Sequence, residues 1–140
     1  MKYTIFGILF IFLINSKSIC QSLSQTQLTE KYSLIAHSAE KKLDSVYNSI
    51  LQFYSSDTLF TNNLKKAQKA WSKYVALQAQ AMFPPYPTNR YGSMGSMCYS
   101  KYVAGLIRAR ITELEPWLSG RQDGDCGSSI KPIDELPTKN

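Results

Sequence analysis

The run from Leu64 to Met82, LKKAQKAWSKYVALQAQAM, constrains this chain more than any other stretch. Leu64, Ala67, Gln68, Trp71, Tyr74, Val75, Gln78 and Met82 recur at the three-and-four spacing of one helical face, whereas Lys65, Lys66, Lys69 and Lys73 fall largely elsewhere. Ala, Lys, Leu and Gln favour helix, and neither Gly nor Pro interrupts the run before Pro84 and Pro85 end it. A lone amphipathic helix cannot hide its apolar stripe, so other segments must cover Trp71. The tryptophan reads as a core residue of a small helical bundle rather than a platform for a ligand.

Residues 1–20 carry a different signature. Lys2 precedes an apolar run from Tyr3 to Ile14 that is short for a bilayer span, and Asn15, Ser16, Lys17 and Ser18 follow. This is the pattern of a secretory signal peptide, cleaved near Ser18 or Cys20 and leaving no transmembrane segment behind. Lipoprotein anchoring through Cys20 fits less well, because Lys17 and Ile19 stand where such a site needs an apolar and a small residue. Sixteen basic residues face ten acidic ones, and losing Lys2 and Lys17 with the leader leaves fourteen against ten. A modest positive balance suits loose attraction to anionic envelope polymers or membrane surfaces, and export argues against nucleic acid as a partner.

Once Cys20 is removed, Cys98 and Cys126 remain in a compartment where disulfides persist. They either pair, tying the tail to the last helix for about 3 kcal/mol, or stay as a buried thiol and an exposed one.

In chain order, 21–27 reads as a flexible lead. A first helix follows from about Leu28 to Tyr54, with Ile35, Ala39, Leu43, Val46, Tyr47, Ile50, Leu51 and Tyr54 on its apolar side. Ser55 to Thr58 breaks it, Leu59 and Phe60 are expected to plug the bundle end, and Thr61, Asn62 and Asn63 are capping candidates for the Trp71 helix. Phe83 to Gly95 is a proline-rich loop. Ser93 or Ser96 would cap a third helix from about Met97 to Leu114 or Leu118, with Met97, Tyr102, Val103, Leu106, Ile107, Arg110, Ile111 and Leu114 turned inward. Residues 119–140, rich in Gly, Ser, Asp and Pro, read as a disordered tail. The expected architecture is all-α: a small antiparallel three-helix domain between a signal peptide and that tail.

No residue set marks a catalytic, cofactor or metal site. The single histidine, His37, lacks an obvious partner, and Cys98 could serve as a nucleophile with it only if the fold joined them. One histidine and widely spaced cysteines give no metal-ligand spacing. Gly92 and Gly95 around Ser93-Met94 lack the lysine and preceding strand of a phosphate loop. Lys65, Lys69 and Lys73 recur every four residues and form either a solvated face or a docking surface for an acidic polymer.

Four pieces in order carry a family resemblance. Ala39, Leu43, Asp44 and Tyr47 make the first; Leu64, Ala67, Gln68, Ala70, Trp71 and Tyr74 the second; Gly92, Ser93 and Met97 the third; Arg110, Glu113 and Leu114 the last. Over residues 28–118 the chain resembles the bacterial lysozyme inhibitor LprI-like N-terminal domain family. The resemblance implies an exported, non-enzymatic helical domain whose partner is a lysozyme or another envelope protein. Where the family usually has Y-R-D-x-x-C, this chain reads Tyr74, Val75, Ala76, Leu77, Gln78, Ala79, and the second typical cysteine falls on Tyr102. The family pattern therefore implies that packing between Ala79 and Tyr102 replaces a disulfide. Animal-type lysozymes are usually basic, so a positively charged inhibitor would meet like charge. Inhibition would require a loop or helix end that enters the target's glycan cleft. Tyr86, Arg90 and Tyr91, on the Pro84 to Tyr91 connection, are the side chains best suited to anchor it. The alternative is an envelope-associated structural protein that holds anionic cell-wall or lipid groups through Lys65, Lys69 and Lys73.

Overall fold

Ser24 decides where the chain becomes helical. Its hydroxyl accepts from the Gln27 N–H at 3.3 Å while its own N–H donates to Gln27 Oε1 at 2.8 Å, a reciprocal capping box. The computed structural model describes residues 23–88, 90–121 and 128–136, and in it helix α1 runs Gln25–Phe53. The helix thus starts before the expected Leu28, and 25–27, expected in the lead, are helical. The cap was hidden in the polar stretch ahead of the apolar period.

Helix α2 runs Thr58–Met82 because Asp57 Oδ1 accepts the Phe60 N–H at 2.9 Å. An aspartate there also places negative charge at the positive end of the helix. The capping expected of Thr61, Asn62 and Asn63 is corrected accordingly: all three lie inside the helix, and the Thr61 hydroxyl donates back to the Asp57 and Thr58 carbonyls. Helix α3 runs Gly95–Leu114 and has no side-chain cap from Ser93 or Ser96. A 3-10 turn, Gly92–Met94, feeds into it, and the Gly95 N–H donates to Gly92 O, so the entry bonds come from backbone. Pro116 ends α3 and opens the four-residue α4, Pro116–Ser119.

Two cross-links set the helix directions. The Gln25 amide donates to Ser93 O at 3.1 Å near one end, and Lys42 Nζ lies 3.3 Å from Glu115 Oε1 near the other, so α1 and α3 run side by side in the same sense. Gln68 and Gln78 of α2 meet Arg110 and Tyr102 of α3 in reverse order, which makes α2 antiparallel to both. The result is the expected up-down-up three-helix domain.

Its core is the seam between α1 and α3. Ala39, Leu43, Ile50 and Tyr54 pack with Ile107, Ile111 and Leu114, and α2 adds Leu64. Ile50 and Leu114 are wholly buried, positions where truncation to alanine costs about 2–5 kcal/mol. Trp71 is half-buried at the edge of this cluster rather than at its centre, which corrects the expectation that the chain closes around the indole. Thr61, Leu64, Gln68, Trp71, Val75 and Ala79 make the inward line of α2, while Ala67, Tyr74 and Met82 are exposed. Phe60 does seal the bundle end, 4.6 Å from Tyr54 and 5.9 Å from Trp117 between ring centroids, but Leu59 points outward at 73 % exposure.

Tyr54 ties that end together. Its hydroxyl donates to Trp117 O at 3.2 Å and accepts the Lys131 N–H at 3.0 Å. The Lys131 ammonium lies 4.6 Å from the Phe53 ring centroid and 5.3 Å from that of Tyr54. Trp117 Nε1 donates to Ser129 Oγ, and Arg121 pairs with the 130–132 stretch through its Nε and backbone. Gly120 has φ +78°, and a Cβ there would meet Leu136 and Ile133 at 2.9–3.0 Å, so the chain turns and packs back where a side chain would block it. The disordered tail expected from residue 119 carries no α-helix after Ser119 among the described residues, while its described part, 128–136, lies against the bundle.

Burial raises the Tyr54 pKa, opposed by the Lys131 N–H bond and reinforced by Glu135. The neutral phenol is therefore the form the fold selects. Its contribution is complete below the ordinary tyrosine value near 10 and is lost as pH rises through the higher folded value. Tyr54→Phe should cost about 1–2 kcal/mol in urea unfolding and abolish hydrogen-exchange protection at the Lys131 amide while leaving the α1 amides before Ile50 protected.

Candidate functional site

Two constellations stand out on the bundle. The first links α2 to α3 across the family-type residues. Arg110 Nε donates to Gln68 Oε1 at 3.2 Å, a second guanidinium nitrogen donates to Glu113 Oε2 at 3.0 Å, and the guanidinium carbon lies 5.9 Å from the Trp71 ring centroid. The Arg110 side chain is only 13 % exposed against 61 % for Glu113. The half-buried bond to Gln68 therefore matters more than the exposed ion pair. Leu43, Leu64 and Leu114 sit in the core beneath, Tyr47 packs against it with its pKa raised by burial, and Asp44 and Ala67 face outward. This arrangement fixes how α2 sits on α3, a positioning role.

The second constellation is the connection from α2 to α3. Pro84, Pro85 and Pro87 restrict its backbone. Tyr91 donates through its hydroxyl to Pro84 O at 3.1 Å, closing the loop on itself. The Arg90 guanidinium lies 4.9 Å from the Tyr86 ring centroid, and the Tyr86 and Tyr91 rings are 6.3 Å apart, so the structure gathers all three expected interface residues into one patch. Tyr86 is 47 % exposed and Tyr91 half-buried. Beside them lies an open groove of about 630 Å³ reaching Ser96, Tyr99 and Ser100 on α3. Phe83 is its buttress, with Tyr91, Tyr99 and Tyr102 at 5.6–5.9 Å in edge-on contact. Phe83 and Tyr99 were not singled out from sequence. An aromatic just before the prolines and another pair three apart on α3 were the signal available.

The remaining candidates separate. Lys65, Lys66, Lys69 and Lys73 are all exposed on α2. His37 faces solvent 3.7 Å from Glu40, whereas Cys98 lines a groove with Met82, Phe83, Lys101, Tyr102 and Leu106. The fold does not join His37 to Cys98. Cys98 is half-buried in the first turn of α3, and its pairing with Cys126 involves a residue outside those described. Mass measurement after alkylation with and without reductant decides it: a disulfide blocks both thiols until reduced.

A model of the family described as Lysozyme inhibitor LprI matches residues 20–114. The chain belongs to that family. No curated protein and no solved structure matches it. The LprI match takes in α1, α2 and α3 and stops before α4 and the tail, so the Gln68–Trp71–Arg110–Glu113 cluster and the Pro84–Tyr91 connection both lie within it. At the position where the family pattern places its second cysteine, Tyr102 accepts a hydrogen bond from the Gln78 amide at 3.2 Å and packs on Phe83. Ala79, at the first cysteine position, is wholly buried next to Gln78. In this LprI member Tyr102 thus joins α3 to the end of α2 through Gln78 and Phe83.

Arg110→Ala should lower unfolding free energy by about 1–2 kcal/mol, from the lost Gln68 bond and Trp71 stacking. Glu113→Ala should change it by less than about 0.5 kcal/mol. Urea unfolding followed by tryptophan fluorescence measures both.

Proposed function

We propose that this LprI-family domain is exported and inhibits a lysozyme by direct binding, without enzymatic activity of its own. The Pro84–Tyr91 connection enters the glycan cleft of the target. The observation that carries this reading is the patch itself: an exposed Tyr86 ring under the Arg90 guanidinium, on a loop stiffened by three prolines and by the Tyr91–Pro84 bond. Tyrosine and arginine are the residues that dominate interface energetics, and a loop already held in shape loses little entropy on docking. Residues 1–20, with their signal-peptide pattern, support action outside the cytosol. Among the described residues no helix is long and apolar enough to cross a membrane.

Charge makes the assignment sharper. Lysozymes of the animal type are usually basic, so the row of lysines on α2 is a poor face to present to one. The connection carries Arg90 as its single cation between Phe83 and Ser100, and Arg90 stacks on tyrosine. Inhibition through this loop therefore needs less compensation for like charge than inhibition through the helix face.

Purified mature protein should slow muramidase turnover by lysozymes of at least one class, more at physiological than at low salt. Tyr86→Ala and Arg90→Ala should each raise the half-inhibiting concentration roughly tenfold or more, with circular dichroism unchanged. Inhibition of every class left intact by both variants sinks the loop assignment, and absence of inhibition in any class sinks the activity.

A further inference from the structure

The outer side of α2 carries a second apolar line. Ala67, Ala70, Tyr74, Leu77 and Ala81 follow at intervals of three, four, three and four, the spacing of a seam that meets another helix. At 100° per residue this line lies about a third of a turn from the inward line through Leu64, Trp71 and Val75. All five residues are exposed, and the large ones leave much apolar surface in solvent: Tyr74 is 51 % and Leu77 54 % exposed. Leu59, 73 % exposed, lies on the same side of the helix two turns before Ala67, with Asn63 between them. Nothing among the described residues covers it. Isolated exposed apolar residues are ordinary on a surface, but a line in helix register is not.

Its border identifies the chemistry of what fits. Lys66 and Lys73 run along one side, with Lys65 and Lys69 further round, and all four are exposed. From Thr58 to Met82 the helix contains no Asp or Glu at all, so no carboxylate of its own neutralises the row. A second copy of the chain brings no carboxylate on this face to meet the lysines in either direction of packing, and an antiparallel pair sets lysine row against lysine row. A basic protein is disfavoured for the same reason. The small residues Ala67, Ala70 and Ala81 on either side of the larger Tyr74 and Leu77 let a partner helix approach closely at both ends of the line and settle its side chains around a central ridge.

We propose that this face of α2 docks an amphipathic helix whose apolar edge is bordered by Asp or Glu. The site is separate from the Pro84–Tyr91 connection and does not depend on the lysozyme reading. Lys66 and Lys73 meet the partner's carboxylates, while Tyr74 and Leu77 fill the apolar contact.

The test uses the full mature chain and two fluorescently labelled synthetic helical peptides with the same leucine seam, one flanked by Glu and the other by Lys. Anisotropy titration should show saturable binding of the Glu-flanked peptide, weakened by salt, and none of the Lys-flanked one. Leu77→Glu should weaken that binding roughly tenfold or more, and Lys66→Gln with Lys73→Gln should flatten its salt dependence. Tyr86→Ala should leave it unchanged, which keeps this result distinct from the fate of the loop. Equal binding of both peptides, binding of neither, or indifference to Leu77→Glu overturns the proposal. So does a wild-type dimer in sedimentation that Leu77→Glu dissociates, or binding to vesicles of anionic lipid without binding to the Glu-flanked peptide. Circular dichroism of each variant confirms that the exposed substitutions leave the helix intact.

Discussion

The burial of the apolar stripe of α3 against α1 is the interaction on which the rest of this domain depends. Ile107, Ile111 and Leu114 find Ala39, Leu43, Ile50 and Tyr54, and most of the buried residues belong to these two helices. Because they are parallel, the chain has to travel back along the bundle between them, and α2 is that return path. It contributes Leu64 to the central cluster and otherwise touches the pair along a narrow line. The tryptophan helix is thus a lid on a two-helix seam. Its orientation has to be specified by particular bonds, which explains why Arg110 reaches from α3 to both Gln68 and Trp71.

The ends of the bundle are closed by different means, and the difference bears on function. At one end Tyr54, Phe60 and Trp117 stack on one another, and the phenol hydroxyl gathers the α4 backbone and the 128–136 stretch. The Tyr54 hydroxyl and Trp117 Nε1 both find their partners within the fold. At the other end Phe83 holds Tyr91, Tyr99 and Tyr102 around itself, yet Tyr86, which lines an open groove, and Arg90 beside it are left exposed. An end that spends its aromatics internally stabilises; an end that displays them is available to a partner.

Much of this was legible in the sequence because helical period and burial are the same information. Every residue assigned to the inner side of the first helix between Ile35 and Tyr54, and of the third between Met97 and Leu114, is buried or half-buried. The second helix was read less well for a physical reason. Its apolar residues span two lines, and a single broad face drawn through Leu64, Trp71, Tyr74 and Met82 merges them; only tertiary packing selects Leu64, Trp71 and Val75 as the inward set. Helix starts were missed where the capping residue lay outside the periodic run, at Ser24 and Asp57, or where no side chain caps at all, before Gly95. The docking of Lys131 on Phe53 and Tyr54 could not be read, since one backbone N–H and one cation over two rings leave no periodic trace. Of the candidate site, Tyr86, Arg90 and Tyr91 were legible as residue types beside prolines, but their convergence was not.

Charge then separates the surfaces that the fold leaves free. Four lysines and no carboxylate on α2 concentrate positive potential on one side of the molecule, while the tyrosine-rich connection presents a cation already engaged with an aromatic ring. A basic target approaching this domain is repelled more by α2 than by the connection; an acidic one is drawn toward α2. The two faces therefore do not compete for the same kind of partner. One small bundle can hold both because the core asks so little of α2: a single inward line suffices to close the seam, and the remaining two thirds of that helix are free to be specified by something other than stability.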